Sequence, residues 1–281
     1  MFTRGQEVRN RTTEQLREHY EIEKELAGRL RNASKQERRY LYSILYDELF
    51  RRVPHHPQLQ RKSSTDETAK RIHLQMRFLR PFLKAEATFL EIGAGDCALS
   101  FEVAKSVKTA YGLDVSEEIS STIKRPPNFQ LILSDGANVP VPSGVAVAYS
   151  NQVMEHLHPD DAFEQVQNIY NVLWPSGVYI CITPNRLDGP HDISRHFDSV
   201  PTGFHLREYT ASELNFIFRK VGFSRTRAYV GGKGIYIPFP LFIIRLLEYG
   251  LKGLPYSARK TLMARFPLRQ LLVPVRLVGL K

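Results

Sequence analysis

Cysteine is nearly absent: the 281 residues hold two, Cys97 and Cys181. Two thiols in apolar, strand-like surroundings give neither a disulfide framework nor a zinc-ligand spacing. Both are expected to be buried and reduced, as in a cytosolic protein. Long apolar runs are missing too. The uncharged stretch at 234–244 near the C-terminus is about half of what a bilayer-spanning helix needs, so no integral membrane protein is expected. The opening MFTRGQEVRN lacks the apolar core of a secretory leader. With 42% hydrophobic and 24% charged residues, disorder and low-complexity classes are excluded. The length fits one large α/β domain with appendages, or two small domains.

Acidic residues are scarce at the ends. Residues 231–281 carry nine Lys/Arg against one acid, and residues 1–62 carry fourteen against nine. Between them, residues 63–230 carry sixteen against nineteen. The net charge of +10 therefore belongs to the ends. A near-neutral core with basic appendages fits an anionic partner such as a membrane surface or a polyanion. The plainer reading is a set of solvated helix faces.

The chain reads as three parts: an N-terminal helical extension (1–62), a central domain (63–230) and a basic, apolar tail (231–281). Residues 12–50 are expected as two helices, the second opened by a Ser34-x-x-Glu37 capping box. Its mostly apolar stripe runs through Tyr40, Leu41, Ile44, Leu45, Glu48 and Leu49, and it stops at Val53-Pro54. Lys62 to Asp66 marks the boundary, with Thr65 or Asp66 capping a helix that runs to about Arg80. From Thr88 short apolar strands alternate with helices. TFLEIGAG, TAYGLDVS, FQLILSDG, VAVAYSNQV and GVYICITPN read as strands, and Phe223–Val230 as a sixth. Helices are expected at Ala98–Val107, Glu117–Lys124, Asp160–Leu173 and Thr210–Val221. That order implies βαβ crossovers and a parallel sheet covered on both faces. Asn185–Leu206 is a long polar loop, a length usually tied to function.

The chemistry concentrates at strand ends. Glu91-Ile92-Gly93-Ala94-Gly95-Asp96-Cys97-Ala98 follows a strand and opens a helix, so its backbone can approach a ligand. Asp114 ends the second strand about twenty residues on, where an acid can hold ribose hydroxyls. Taken alone, this pattern also fits a nicotinamide dinucleotide. Glu91 argues against a pyrophosphate and for a cationic ligand. Asp135-Gly136 adds an acid after the third strand, where an adenine amino group can be read.

The segments FLEIGAGDCALS, YGLDVS, LILSDGANVPVPSGVAVAYSNQVMEHL, VLWPSGVYICITPN and HLREYTASEL together resemble class I S-adenosylmethionine-dependent methyltransferases over about residues 66–230. The nearest group contains ubiquinone-type O-methyltransferases and many glycan- and lipid-modifying enzymes. The resemblance implies a Rossmann-like α/β fold with a seven-stranded, mostly parallel sheet whose last strand is antiparallel. It implies that Glu91, Gly93 and Gly95 line the methionine end of S-adenosylmethionine. Asp114 would bind the ribose, Asp135 with Gly136 the adenine, and Asn151 would wall the site after strand four. The expected activity is methyl transfer, O-directed, onto a small-molecule, glycan or lipid-linked acceptor. The rival from another class is a non-catalytic sensor or scaffold that binds the cofactor or its demethylated product.

Methyl transfer to a hydroxyl needs a base. His158, in MEHLHPDD after strand four, and His191 and His196, in the long loop, are the candidates. His156, in the same segment, is also near the donor end by topology; the competing reading is that it belongs to a structural E-H-L turn common in this family. Asp192 would orient a loop histidine, and Arg195 and Arg207 suit either an anionic acceptor or surface pairing. No metal is expected, because the His and Asp spacings match no tight ligand motif. Asn151-Gln152-Val153-Met154 lacks the N/D-P-P-Y/F turn of base amino-methylases, so nucleic acid is disfavoured. In the tail, a helix from Pro240 puts Arg245, Glu248 and Lys252 on one polar stripe. The remainder is expected to lie on an anionic membrane through 238–281, to pack on the core, to supply the last strand, or to form a dimer contact.

Overall fold

The computed structural model describes residues 11–60, 65–116 and 124–281. The helix expected at Glu117–Lys124 and the boundary expected around Lys62 lie largely outside them. Two helices open the chain, α1 (Thr13–Asn32) and α2 (Lys35–Arg52). Each starts from a complete capping box, Thr12 with Gln15 and Ser34 with Glu37. A short α3 (Pro57–Gln60) and α4 (Thr65–Leu79) lead to the sheet.

The sheet elements follow as β1 (Thr88–Ile92), α5 (Ala98–Ala104), β2 (Thr109–Asp114), β3 (Phe129–Leu133), β4 (Val145–Asn151), α6 (Pro159–Val172) and β5 (Leu173–Thr183). Next come α7 (Ala211–Val221), β6 (Arg225–Gly232), β7 (Ile235–Phe239), α8 (Leu241–Lys252), α9 (Tyr256–Met263), α10 (Leu268–Leu272) and β8 (Val275–Leu280). The strand order is β3-β2-β1-β4-β5-β8-β6-β7. The first five strands are parallel, and β8 runs antiparallel between β5 and β6. The sheet thus has eight strands where seven were expected, because the chain after β6 folds back through Gly234 into the edge strand β7. It continues past the boundary expected at residue 230: the tail supplies β7 at the edge and β8 in the interior.

Alternation along the strands sorts side chains to two cores. Leu90, Ile92 and Ala148 face a cluster shared with Leu26 and Leu30 of α1, Tyr42, Leu45 and Leu49 of α2, and Val166 and Ile169 of α6. Phe89, Val147, Tyr149 and Ile180 face the other way, onto Met76 and Leu79 of α4 and Leu99 and Val103 of α5. The two thiols are buried and free, as expected.

Helix α2 departs from the expected stripe. Tyr40 and Ile44 are 74% and 52% exposed, while Arg38, Tyr42, Leu45 and Leu49 are buried. The cause is polar. Arg38 donates from Nε (2.6 Å) and Nη2 (2.8 Å) to the buried Asp161 of α6, and Tyr42 Oη donates to the same carboxylate at 2.7 Å. Burial alone would raise the Asp161 carboxyl, but these bonds hold it below its ordinary range. A buried polar group must be satisfied, and this clamp sets the rotation of α2.

Helix α8 departs as well. Glu248 is buried instead of sharing an outer stripe with Arg245 and Lys252. Its carboxylate accepts from Ala211 N (2.7 Å) and Ser212 N (2.9 Å), free donors in the first turn of α7. No helix among the described residues is long and apolar enough to cross a membrane.

Candidate active site

The C-terminal ends of β1, β2 and β4 open into a cavity of about 220 Å³. This is where ligands bind in open α/β sheets. One wall is the glycine turn, with Gly93 and Gly95 at φ +72° and +52°. A Cβ at Gly93 would run into the Val153 side chain, so the close approach of that turn to the β4 loop requires glycine. Asp114 ends β2 and also lines the cavity. Its Oδ2 accepts from Gly95 N at 2.7 Å and its Oδ1 from Val115 N at 2.8 Å. Burial raises this carboxyl, against the pull of those three backbone N–H bonds, Ser116 N being the third. Ser134, Gly136 and Gln165 form the side beyond β3.

The remaining wall comes from outside the sheet. Tyr42, Tyr46 and Phe50 lie four residues apart on α2 and all line the cavity, with Asp47 beside them. Facing them are Gln152, Val153, His156 and Leu157 of the β4–α6 connection. Tyr46 Oη lies 2.8 Å from His156 Nδ1, and the Tyr46 ring stacks on Phe204 at 4.8 Å. His156 Nδ1 is also 3.2 Å from Phe204 O. A carbonyl only accepts, so in the tautomer that uses the Phe204 contact Nδ1 carries the proton and Nε2 is the basic nitrogen. Burial pushes the His156 imidazole down to about 3, so it is neutral at physiological pH.

Of the residues expected to hold a cofactor, Gly93, Gly95, Asp114 and Gly136 meet at this cavity, and three do not reach it. Glu91 shares the Phe89 face of β1, beneath α5, where it accepts from Ser100 Oγ at 2.6 Å. Burial raises it to about 8, so at neutral pH it is mostly protonated and presents no full negative charge to the cavity. Asp135 turns away to accept from Ala137 N and Asn138 N at 3.1 and 2.8 Å. Asn151 closes β4, and the next residue, Gln152 at φ +60°, lines the cavity instead.

The expected bases are elsewhere. His158 caps α6, its Nδ1 accepting from Asp160 N at 3.3 Å. His196 is exposed beside Arg195. His191 bonds Glu208 and Asp188. Asp192 caps the turn Ile193–His196, and its Oδ2 accepts from the backbone N of His205 at 3.3 Å. The long loop is bolted to the N-terminal helices: Arg31 donates to the carbonyls of Thr202 and Gly203 at 2.8 Å, and Phe204 N donates to Glu23 at 2.8 Å. Arg207 is 3.5 Å from Glu213.

Among the described residues, two groups have ligand atoms close enough for a metal ion, Glu155 with His156 and His205, and His19 with Glu23 and His56. Each already has a cation at hand. His205 is held protonated up to about 9 by Glu208, 2.7 Å away, despite its burial. The Arg11 guanidinium lies 2.8 Å from His19 Nδ1. Neither group is assigned a metal.

The parallel strands, the glycine turn and the acid at the end of β2 define a Rossmann-like domain built around a nucleoside cofactor. Residues 89–177 match the family model described as a methyltransferase domain. A probable S-adenosylmethionine-dependent methyltransferase of Mycolicibacterium smegmatis is 32% identical over 136 residues, 48% of this chain and 51% of that protein. The chain thus spans about half the length of the curated relative it matches. A SAM-dependent methyltransferase from Archaeoglobus fulgidus shares the fold, with TM-score 0.50 and 17% identity over 85% of this chain and all of that one. A Haemonchus contortus phosphoethanolamine N-methyltransferase does so with TM-score 0.51 and 14% identity, over 74% of this chain and 52% of that one. Over residues 89–177 the chain is thus similar to methyltransferase domains, and its sheet has the Rossmann-like fold of S-adenosylmethionine-dependent methyltransferases.

Proposed function

We propose that this chain is a methyltransferase acting on a small-molecule, glycan or lipid-linked acceptor, with an oxygen as the nucleophile. The observation that carries the reading is the composite cavity. Its sheet side (Gly93, Gly95, Asp114, Gly136) suits the donor, and its helix side (Tyr46, Phe50, His156) suits an acceptor. The fit to S-adenosylmethionine rests on two features. Gly93 leaves the turn without a Cβ, and Asp114 offers carboxylate oxygens that can accept from a ribose diol. When bound, the sulfonium supplies an activated methyl group, so the protein has mainly to align the nucleophile and exclude water.

Tyr46, Phe50 and Leu157 enclose the acceptor side and keep water out. His156 Nε2 accepts the hydrogen bond of the acceptor hydroxyl, while Phe204 O fixes the ring through Nδ1. Glu155 and His205 have ligand atoms within 4.8 Å of that of His156; the charge on His205 opposes a proton on His156, and the Glu208 carboxylate favours one. Burial raises Glu155 to about 7, and its Oε1 has no partner.

Calorimetry with S-adenosylmethionine and S-adenosylhomocysteine tests the donor half. Uptake by the wild type and about tenfold or greater weakening in Asp114→Ala are expected. Failure of a well-folded protein to take up either, with tight uptake of a nicotinamide dinucleotide, would overturn it. Labelled methyl transfer into fractions of a cell extract tests the acceptor half. His156→Ala is expected to lower turnover with donor binding kept; unchanged turnover would remove His156 from the reaction.

A further inference from the structure

Six of the large apolar side chains exposed among the described residues fall between residues 235 and 266. Three of them, Phe242, Leu246 and Tyr249, are 71%, 69% and 80% exposed and lie along one face of α8. Ile235 and Ile237 are exposed on the adjoining edge strand β7. Arg245 and Lys252 are exposed on the same face of α8, at helical spacing from the apolar three. The opposite face, Ile244, Glu248 and Leu251, is buried. A helix that turns its apolar residues outward on a folded domain marks a contact surface.

The charge around this face decides the partner. Residues 231–281 contain one acid, Glu248, and the fold spends it inward on the first turn of α7. The outer surface of the tail therefore presents cations without anions. Arg265 and Arg269 are also exposed, next to Phe266 at 78% exposure. We infer that the α8 face docks on an anionic phospholipid bilayer, with Phe242, Leu246 and Tyr249 in the interfacial layer. Arg245 and Lys252 would then reach the headgroups from the same face. A polyanion without lipid would leave the three apolar side chains uncovered. A second copy packed isologously would set this face, with its Arg245 and Lys252 and no exposed acid of the tail, against an identical face, placing cations opposite cations.

The inference does not depend on the methyltransferase reading. Because β8 is an interior strand, the tail cannot be cut off for the test, so point variants of the full chain are used. Flotation compares phosphatidylcholine vesicles with the same vesicles containing phosphatidylserine, at low and high salt. The wild type is expected to float with the anionic vesicles and to be released by salt. Phe242→Ser/Leu246→Ser/Tyr249→Ser and Arg245→Glu/Lys252→Glu are each expected to bind about tenfold or more weakly. Circular dichroism and unfolding midpoints matching the wild type certify that the variants are folded. Absence of flotation by the wild type, or equal flotation of wild type and both variants, would overturn the inference. A wild-type dimer in solution that both variants dissociate, without vesicle binding, would overturn it in favour of a self-contact.

Discussion

At the scale of single residues, the strongest electrostatic feature is the buried trio His191, Glu208 and His205. Glu208 is 1% exposed and takes bonds from both imidazoles, His205 at 2.7 Å and His191 at 3.1 Å. Burial opposes charge on all three, yet the mutual bonds win: His191 is raised to about 10, His205 to about 9, and Glu208 is driven well below its ordinary range. The signs follow from linkage. The raised histidines contribute stability fully below their unfolded value of 6.5, and lose it as pH rises through 9 and 10. The lowered carboxylate contributes above its unfolded value of 4.5 and loses it as pH falls below that. The trio's contribution to the urea midpoint, read as wild type minus Glu208→Gln, is expected to be largest between pH 4.5 and 6.5 and to decline toward pH 10. In Glu208→Gln the decline above pH 6.5 should flatten. An unchanged slope would mean that the trio does not titrate as a unit.

At the scale of elements, α2 makes the sheet edge into an enclosed site. The Arg38–Asp161–Tyr42 clamp holds it, and Tyr42, Tyr46 and Phe50 form its inner face. Arg38→Met leaves Asp161 buried without its cation, a loss of about 3–5 kcal/mol where such pairs are broken one-sidedly. Urea unfolding should report that loss, and calorimetry should report weaker donor uptake. A loss under about 1 kcal/mol would mean that solvent replaces the guanidinium. This element also marks the limit of what the sequence disclosed. The capping box at Ser34 was legible because it is local: side chain and backbone partner lie three residues apart. The burying face of α2 was not, because Asp161 is 123 residues away from Arg38. Reading by apolarity alone chose Tyr40 and Ile44, which the clamp turns outward. The place of His156 at the cavity was hidden for the same reason, because its partners Tyr46 and Phe204 are 110 and 48 residues away.

At the scale of the whole molecule, the tail is a structural part of the sheet. β8 separates β5 from β6, with Leu277 and Val278 buried. A chain ending at residue 270 is therefore expected not to fold, because β5 and β6 each lose a pairing partner in the sheet interior. Far-UV circular dichroism and proteolysis would report the loss; a native-like, protease-resistant product would mean that β5 and β6 can pair without it.

The sequence by itself determined the alternation of strands and helices, the glycine turn and the acid at the end of β2. Each of these is written in short-range periodicity, in backbone freedom or in spacing within one βαβ unit. Only the tertiary structure decided which face of α2 and of α8 turns inward. It also decided that Glu91 lies under the sheet rather than at its rim, and that Tyr46 and His156 meet over the cavity. For α2 and α8 the outcome depends on a buried charge finding its partner far along the chain, Arg38 with Asp161 and Glu248 with the start of α7, and a pairing of that kind leaves no local trace in the order of residues.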